Sequence, residues 1–365
     1  MNELRAWAVV GGKLVQLFLY RLRLAPRPDF QSRYPEIIAV VERSQRWRKR
    51  LRVLGEAHCP NHGPAIFAGN HLKLDDPFIM FRAIHMGSGE NIFPRAMMRD
   101  DFFQPGILTS RLVDLDELLE LLGAMQINRE HVQLSQLRPF LKLLRDGGAF
   151  LMYPGRSRTR SGLFTEYNER FTEPGAVSFF VAQAQRGANG VDVPVVPMAR
   201  TFNPVTKGSA ICFGEALRLP ANAGREEQRA LDYALMERMG ELVELNAAQI
   251  TAALLYLHAL HGRGDAVDRT AVEEAIARVT SNVPARRVDP ALFVDLAGEL
   301  DRALRFFEKR RMLRRQGDSV RLNHDAILTA PPAGARYRKA NPLKYLANEI
   351  LHLSDVTARL DEFAL

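Results

Sequence analysis

The order of short apolar runs and helix-like stretches predicts an α/β protein, with a mostly parallel sheet flanked by helices, an amphipathic helix before it and a helical domain after it. Two observations point to this. Between residues 65 and 220, segments suited to buried strands alternate with segments at helical spacing, the pattern of a parallel sheet with crossover helices. The chain is also 365 residues long with an ordinary share of apolar residues, enough for one large domain or two with a sizeable core. We divide it into residues 1–35, the amphipathic segment, 36–220, the α/β domain, and 221–365, the helical domain.

The N-terminal stretch from Ala6 to Tyr20 is apolar but interrupted by Lys13 and Gln16 and closed by Arg21 and Arg23. That is too short and broken for a spanning helix, which needs about 20 mainly apolar residues, and no small-residue cleavage site of a signal peptide follows. Wound as a helix, it gathers Asn2, Arg5, Lys13, Gln16 and Arg23 into one narrow polar stripe. We read it as a membrane-associating helix lying in the interface, with Trp7 and Tyr20 at headgroup level; the alternative is a helix packed on the protein's own body. Pro35 to Leu54, with its basic run from Arg43 to Arg52, reads as a solvated helix face or a patch facing anionic headgroups.

Residues 55–64 are turn-rich. His58, Cys59 and His62 there do not make a metal site, because no second ligand pair stands at zinc-finger spacing. Ala65-Ile66-Phe67-Ala68 reads as a buried strand and Pro77 to Ile84 as a helix, with Asp76 at its N-cap and Pro77 at its first position. Gly147–Pro154 and Val191–Ala199 are further turn-and-strand segments, and 221–260 is helical up to a turn at Gly262-Arg263-Gly264-Asp265. Arg269–Val279 and Pro290–Arg315 read as helices, and Asp318–Leu322 as a strand. That order, with basic residues from Arg302 to Arg315, superficially suggests a winged-helix nucleic-acid binder. The same arginines interleave with Leu304, Phe306, Phe307 and Met312 as the solvated face of an amphipathic helix does, which disfavours nucleic acid as a partner.

A formal charge of +8 and a pI near 9.7 imply acidic partners: phosphate-bearing small molecules, an anionic lipid surface, an acidic carrier protein or nucleic acid. Cys59 and Cys212 lie far apart without a disulfide framework, so a reducing cytoplasm is the simplest setting.

The chemistry is placed at Gly69-Asn70-His71-Leu72-Lys73-Leu74-Asp75-Asp76-Pro77, a strand-to-helix turn. Across a turn the Asp76 carboxylate folds back onto the His71 imidazole, fixing one ring nitrogen and leaving the other as a general base for a hydroxyl. In the bland reading Asp76 only caps a helix and His71 only fills a turn. Arg156, Arg158 and Arg160 alternate with small hydroxyl residues in a glycine-flanked loop, which suits phosphate oxygens, or else they form a solvated basic loop.

His71-x4-Asp76 resembles the first motif of the glycerolipid acyltransferases, the glycerol-3-phosphate and lysophosphatidic acid acyltransferases. Gly123-Ala124-Met125-Gln126-Ile127-Asn128-Arg129 resembles the second, Tyr153-Pro154-Gly155-Arg156-Ser157-Arg158-Thr159-Arg160-Ser161-Gly162 the third, and Val193-Pro194-Val195-Val196-Pro197 the fourth. Thr251–Leu255 and Tyr345–His352 look like the helical tail of the glycerol-3-phosphate branch, and the resemblance spans roughly residues 50 to 355.

The resemblance implies transfer of a fatty acyl group from acyl-CoA or acyl carrier protein to a glycerol-3-phosphate-type hydroxyl in phospholipid synthesis. His71 and Asp76 are then catalytic, Arg129, Arg156, Arg158 and Arg160 hold the acceptor's phosphate, and Asn70, Gly155, Ser157 and Pro194 support the site. No metal or other cofactor is implied, and the protein is expected in the cytoplasm, peripheral on the inner face of the cell membrane. The family's third motif carries a glutamate before its arginines, where this chain has Tyr153-Pro154-Gly155. That departure leaves open a different polar acceptor, a weakened enzyme, or a glutamate supplied from elsewhere, such as Glu166 or Glu169. It also keeps alive acylation of a lysophospholipid or amino-lipid. A catalytically silent membrane- or nucleic-acid-binding protein is the alternative of another class.

Overall fold

A computed structural model describes residues 3–45, 51–99, 119–127, 134–155, 158–165, 173–186, 189–332 and 335–363. Strands β1 (Leu51–Leu54), β2 (Ala65–Gly69), β3 (Arg95–Arg99), β4 (Ala124–Ile127), β5 (Ala149–Met152), β6 (Val195–Phe202) and β7 (Ser209–Phe213) form one sheet in the order β1-β7-β6-β2-β5-β3-β4. Every neighbouring pair is parallel except β6–β7. The sequence therefore gives a mixed α/β protein on a mostly parallel sheet, as expected.

Helices α1 (Glu3–Arg21), α2 (Tyr34–Gln45), α3 (Asp76–Gly87), α4 (Leu134–Arg145), α5 (Val177–Gln185) and α6 (Arg225–Glu241) accompany the sheet. Central strand β2 is buried on both faces, and alternate residues feed two cores. Ala65 and Phe67 pack with Ile79, Met80 and Ile84 of α3 on one side. Ile66 and Ala68 pack on the other with Phe140 and Leu144 of α4, Val181 of α5 and Leu235 of α6.

Four details differ from the sequence reading. Helix α3 begins one residue earlier than expected: Asp75 is the N-cap residue and Asp76 the first helical one, so the Asp76 carboxylate is free for work other than capping its own helix. The basic run ends in a strand, because Leu51 and Val53 of β1 pair with the sheet edge at β7; residues 46–50 lie outside the described residues. The last expected strand of the α/β region begins only at Val195, and Val191–Pro194 precede it as an extended segment. Finally, the C-terminal region is not purely helical. It contains α7 (Ala247–Leu260), β8 (Ala266–Asp268), α8 (Arg269–Asn282), α9 (Leu296–Glu308), β9 (Leu313–Gln316), β10 (Ser319–Leu322), α10 (Pro342–Asn348) and α11 (Ser354–Phe363), with β8, β10 and β9 in an antiparallel sheet. Leu313–Arg315, expected to continue a helix, turn back through Gly317, whose φ of 59° suits the two-residue hairpin connection.

Helix α1 meets the body through Leu17, which packs with Phe30, Ile37 and Leu121. Leu4, Trp7, Leu14, Val15 and Phe18 are left exposed. Among the described residues no helix is long and apolar enough to cross a membrane.

Candidate active site

Strand β2 ends at Gly69, and the turn to α3 lies at the carboxyl edge of the sheet, where open α/β sheets present their ligand sites. In that turn His71 Nδ1 lies 2.7 Å from Asp76 Oδ2. The same oxygen accepts the backbone N–H groups of Leu72 at 2.6 Å and Lys73 at 2.7 Å. Asp76 is thus a fully buried carboxylate that ties the turn to its own histidine. The His71 ring stacks on Tyr153, at the end of β5, with centroids 4.4 Å apart and planes 18° from parallel. The carboxylate and the ring stack fix the ring's position, and in a neutral imidazole so held Nδ1–H donates to the carboxylate while Nε2 keeps its lone pair.

The other Asp76 oxygen, Oδ1, accepts a 2.5 Å hydrogen bond from Arg200 Nη1, and that nitrogen also reaches Asp75 Oδ1 at 2.9 Å. Arg200 projects from β6, is 2% exposed, and donates further to Ser209 Oγ on β7 at 3.1 and 3.3 Å. Asn70 fixes its backbone on both sides: Asn70 Oδ1 accepts Arg200 N–H at 2.7 Å, and Asn70 Nδ2 donates to the Arg200 carbonyl at 2.9 Å. Burial works to raise the Asp75 pKa, but the hydrogen bond and charge of Arg200, aided by Lys73, bring it below the usual carboxylate value. Burial likewise opposes the Arg200 charge, and Asp76 and Asp75 more than restore it.

The other expected residues fall as follows. Arg158 and Arg160 lie in a loop that runs beside the histidine, since Thr159 N–H donates to the His71 carbonyl at 2.9 Å. Arg129, Arg156 and Ser157 lie outside the described residues, as do Glu166 and Glu169. Gly155 follows β5, and a Cβ there would meet only the Phe164 carbonyl at an ordinary 3.8 Å, so its position does not demand glycine. The Pro194 carbonyl accepts Ile66 N–H at 3.0 Å and thereby sets β6 against β2. Among the described residues no cluster of metal-ligating side chains forms.

Sequence reasoning missed Arg200, Asp75, Tyr153 as a stacking partner, and Glu349. Glu349 follows α10 and lines a small cavity of ≈ 10 Å³ together with His71, Asn70, Arg200 and Gln249, room for about one water or hydroxyl group. Its carboxyl accepts a 2.8 Å hydrogen bond from Gln249 Nε2. Burial pushes its pKa up to about 8 against the opposing pull of Gln249, Arg338, Tyr345 and Arg200, so it is mainly protonated at neutral pH.

Neither a known protein family nor a curated protein matches the sequence. Among solved structures, the chain is similar to the 1-acyl-sn-glycerophosphate (LPA) acyltransferase PlsC from Thermotoga maritima, with 14% identity over 65% of this chain and 92% of that one, at a TM-score of 0.38. A likeness of that size says nothing about activity. The site itself presents an oriented, partly exposed histidine beside a basic loop.

Proposed function

We propose that this protein is an O-acyltransferase that moves a fatty acyl group from acyl-CoA or acyl carrier protein to the hydroxyl of a glycerol-3-phosphate-type acceptor in phospholipid synthesis. The observation that supports this best is the His71–Asp76 pair, in which the Asp76 carboxylate binds Nδ1 and the histidine lines a hydroxyl-sized cavity. In this reading Nε2 takes the acceptor's hydroxyl proton as its oxygen attacks the thioester carbonyl. Asp76 stabilises the imidazolium that results, and Arg200 and Asp75 hold Asp76 in place. Collapse of the tetrahedral oxyanion re-forms the carbonyl as an ester and breaks the carbon–sulfur bond. The thiolate leaves with the proton from Nε2, so the base is regenerated and no cofactor is consumed. Arg158 and Arg160, with Arg129 and Arg156, are assigned to the acceptor's phosphate.

The site of action in this reading is the inner face of the cell membrane, with the exposed apolar side chains of α1 in the lipid interface and the net positive charge favouring anionic headgroups and an acidic carrier. The basic residues near α9 do not favour a nucleic-acid partner: Arg302 pairs with Asp295 and Glu299, Arg305 with Asp301, and Arg315 with Asp301 and Glu308.

The test is transfer from a labelled acyl thioester by the purified protein in detergent, to glycerol-3-phosphate, to lysophosphatidic acid and without acceptor. Acceptor-dependent product that falls by about 10²-fold or more in folded His71→Ala is expected. Transfer unchanged in that variant, or none to any acceptor by folded wild type, overturns the proposal.

A further inference from the structure

The cavity that His71 lines has a wall group that the proposed reaction leaves unused, the carboxyl of Glu349. At ≈ 10 Å³ the space takes about one oxygen, of a water or of a hydroxyl group. Nδ1 of the histidine is held by Asp76, so a hydrogen bond from the ring to that oxygen runs through Nε2. Glu349 is 7% exposed and reaches the cavity from the C-terminal region. Among the described residues no hydrogen bond joins its carboxyl directly to the imidazole.

Short links along the chain fix this approach. Thr159 N–H donates to the His71 carbonyl at 2.9 Å, and further along the same loop the Ser161 carbonyl accepts Asn348 Nδ2, from the residue before Glu349, at 3.0 Å. Tyr337 N–H donates to the Arg160 carbonyl at 3.1 Å. Gly162 passes so close to the Tyr345 carbonyl that a Cβ would stand 2.0 Å from it. The segment from Tyr337 to Glu349 is thus docked on a loop that is itself tied to His71.

The groups around the carboxyl are donors. Gln249 Nε2 donates to its Oε2 at 2.8 Å, and the Tyr345 hydroxyl bonds it in the sense that favours the charged form. Arg200 lines the same cavity, and Lys73 and Arg338 line the adjoining hollow that Glu349 also borders; as cations they have no lone pair to offer. Burial outweighs these neighbours and keeps the carboxyl mainly protonated at pH 7. Its O–H therefore needs an acceptor, because a buried donor left without one is costly. An oxygen in the cavity meets that need and offers a hydrogen to the histidine in return.

We propose that the Glu349 carboxyl donates a hydrogen bond to the oxygen bound beside His71 and thereby turns that oxygen's hydrogen to Nε2, the oxygen being a water in the resting protein and the acceptor's hydroxyl in transfer. A hydroxyl oxygen has two lone pairs, so one accepts from the acid and the other attacks the thioester carbonyl while the hydrogen passes to the base. An ionised Glu349 has no proton to give and accepts the hydroxyl's hydrogen itself, which turns the group away from His71. Transfer is therefore lost as pH rises through the Glu349 value of about 8. The inference rests on the proposed acyltransferase function for the identity of the nucleophile, whereas the bridge from Glu349 to His71 forms with water alone.

The experiment pairs nitrogen NMR of the His71 ring, in full-length histidine-labelled protein in detergent, with pH profiles of transfer from a labelled thioester, corrected for the uncatalysed reaction. Wild type, Glu349→Gln and Glu349→Leu are compared. In the wild type the His71 nitrogen shifts should show an inflection at about pH 8 that both variants lose, and kcat/KM should fall by about tenfold per pH unit above it. Glu349→Gln still accepts from Gln249 and keeps a donor that does not ionise, so transfer at pH 7 should stay within about fivefold of wild type and the alkaline decline should vanish. Glu349→Leu should lose at least roughly tenfold at pH 7, the effect of removing one hydrogen bond to a reacting oxygen. An alkaline decline that persists in Glu349→Gln, transfer by folded Glu349→Leu within twofold of wild type, or no His71 inflection near pH 8 in the wild type overturns the proposal. The first and last of these decide it even where Glu349→Leu does not fold. An inflection that Glu349→Gln removes, without transfer to any acceptor by folded wild type, leaves the bridge standing and refutes the acyltransferase reading.

Discussion

Replacement of Arg200 by Met tests the charge cluster beneath the histidine. Arg200 is 2% exposed and Asp76 fully buried, with Asp75 29% exposed beside them. Met fills most of the volume but leaves Asp76 Oδ1 without its 2.5 Å donor and Asp75 without its cation. Breaking a buried pair by removing one partner costs about 3–5 kcal/mol, because the remaining charge is stranded rather than because the pair itself is strong. Against a total stability of about 5–15 kcal/mol, the variant should fold but unfold at clearly lower urea. Arg200→Lys keeps the charge and loses the fork to Ser209, so it should cost about 1–3 kcal/mol.

The pH dependence separates stranded charge from lost packing. In the wild type Asp75 titrates below its unfolded value, so its contribution is present above the unfolded pKa near 4 and is lost as pH falls through the folded one. In Arg200→Met the stranded Asp75 carboxylate takes up a proton at higher pH than in the wild type, which relieves its penalty. The stability deficit should therefore be largest at pH 7 and shrink toward pH 4. A deficit below 1 kcal/mol at pH 7, or one equal at both pH values, refutes the reasoning (about 1 kcal/mol being the scale of a neutral contact).

Three further outcomes follow from single features. Gly162→Ala places a methyl group 2.0 Å from the Tyr345 carbonyl at a φ of +93°, so it should lower the melting temperature and raise the acceptor KM by displacing the arginine loop, with a strain of at least about 1–3 kcal/mol; unchanged melting and KM would count against that docking. Glu349 has a folded pKa of about 8, raised by burial, so the native state binds the extra proton and stability declines from about pH 4.5 to 8, by up to about 1.4 kcal/mol per pH unit. Glu349→Gln should flatten that decline in urea titrations across pH 5–8, and a slope equal to wild type would sink the assignment. Trp7→Asp with Val15→Asp, at positions 51% and 58% exposed, should reduce flotation with anionic vesicles by roughly tenfold or more without changing the melting temperature; equal flotation would place the membrane contact elsewhere.

The sequence made the turn at His71 legible because its determinants are local. An apolar run, a histidine, two aspartates and a proline lie within thirteen residues, and the β2-to-α3 geometry brings Nδ1 to the carboxylate as the spacing implied. The helix boundary was misplaced because Asp76, which resembles a cap, spends its oxygens on the backbone of its own turn and on Arg200. Arg200 was illegible as a partner, being 124 positions away, although a lone arginine between Ala199 and Thr201 in an otherwise buried strand was a visible anomaly. An arginine can be fully buried only where carboxylates meet it, so that position alone implied acidic neighbours. The hairpin of β9 and β10 was hidden because the adjacent Arg314 and Arg315 continue the basic run of the preceding helix, and a strand of four residues is too short to show its own period.

The absence of a glutamate before the loop arginines takes on a physical meaning from Glu349. A carboxylate in that loop would ionise beside arginines and subtract from the charge available to a phosphate. Here the acid that lines the histidine cavity comes from the C-terminal region instead, on a segment sealed by Gln249 of α7 and Tyr345 of α10, where burial keeps it neutral. A neutral acid donates and accepts hydrogen bonds without adding a negative charge to the cavity. It also explains why the C-terminal region is more than an appendage: remove it, and the cavity loses its lid of Gln249 and Glu349, the loop at Arg160 loses its backbone partner, and Gly162 loses the carbonyl that fixes its position. The histidine and its aspartate belong to a local turn, whereas the walls of the cavity beside them come from both parts of the chain.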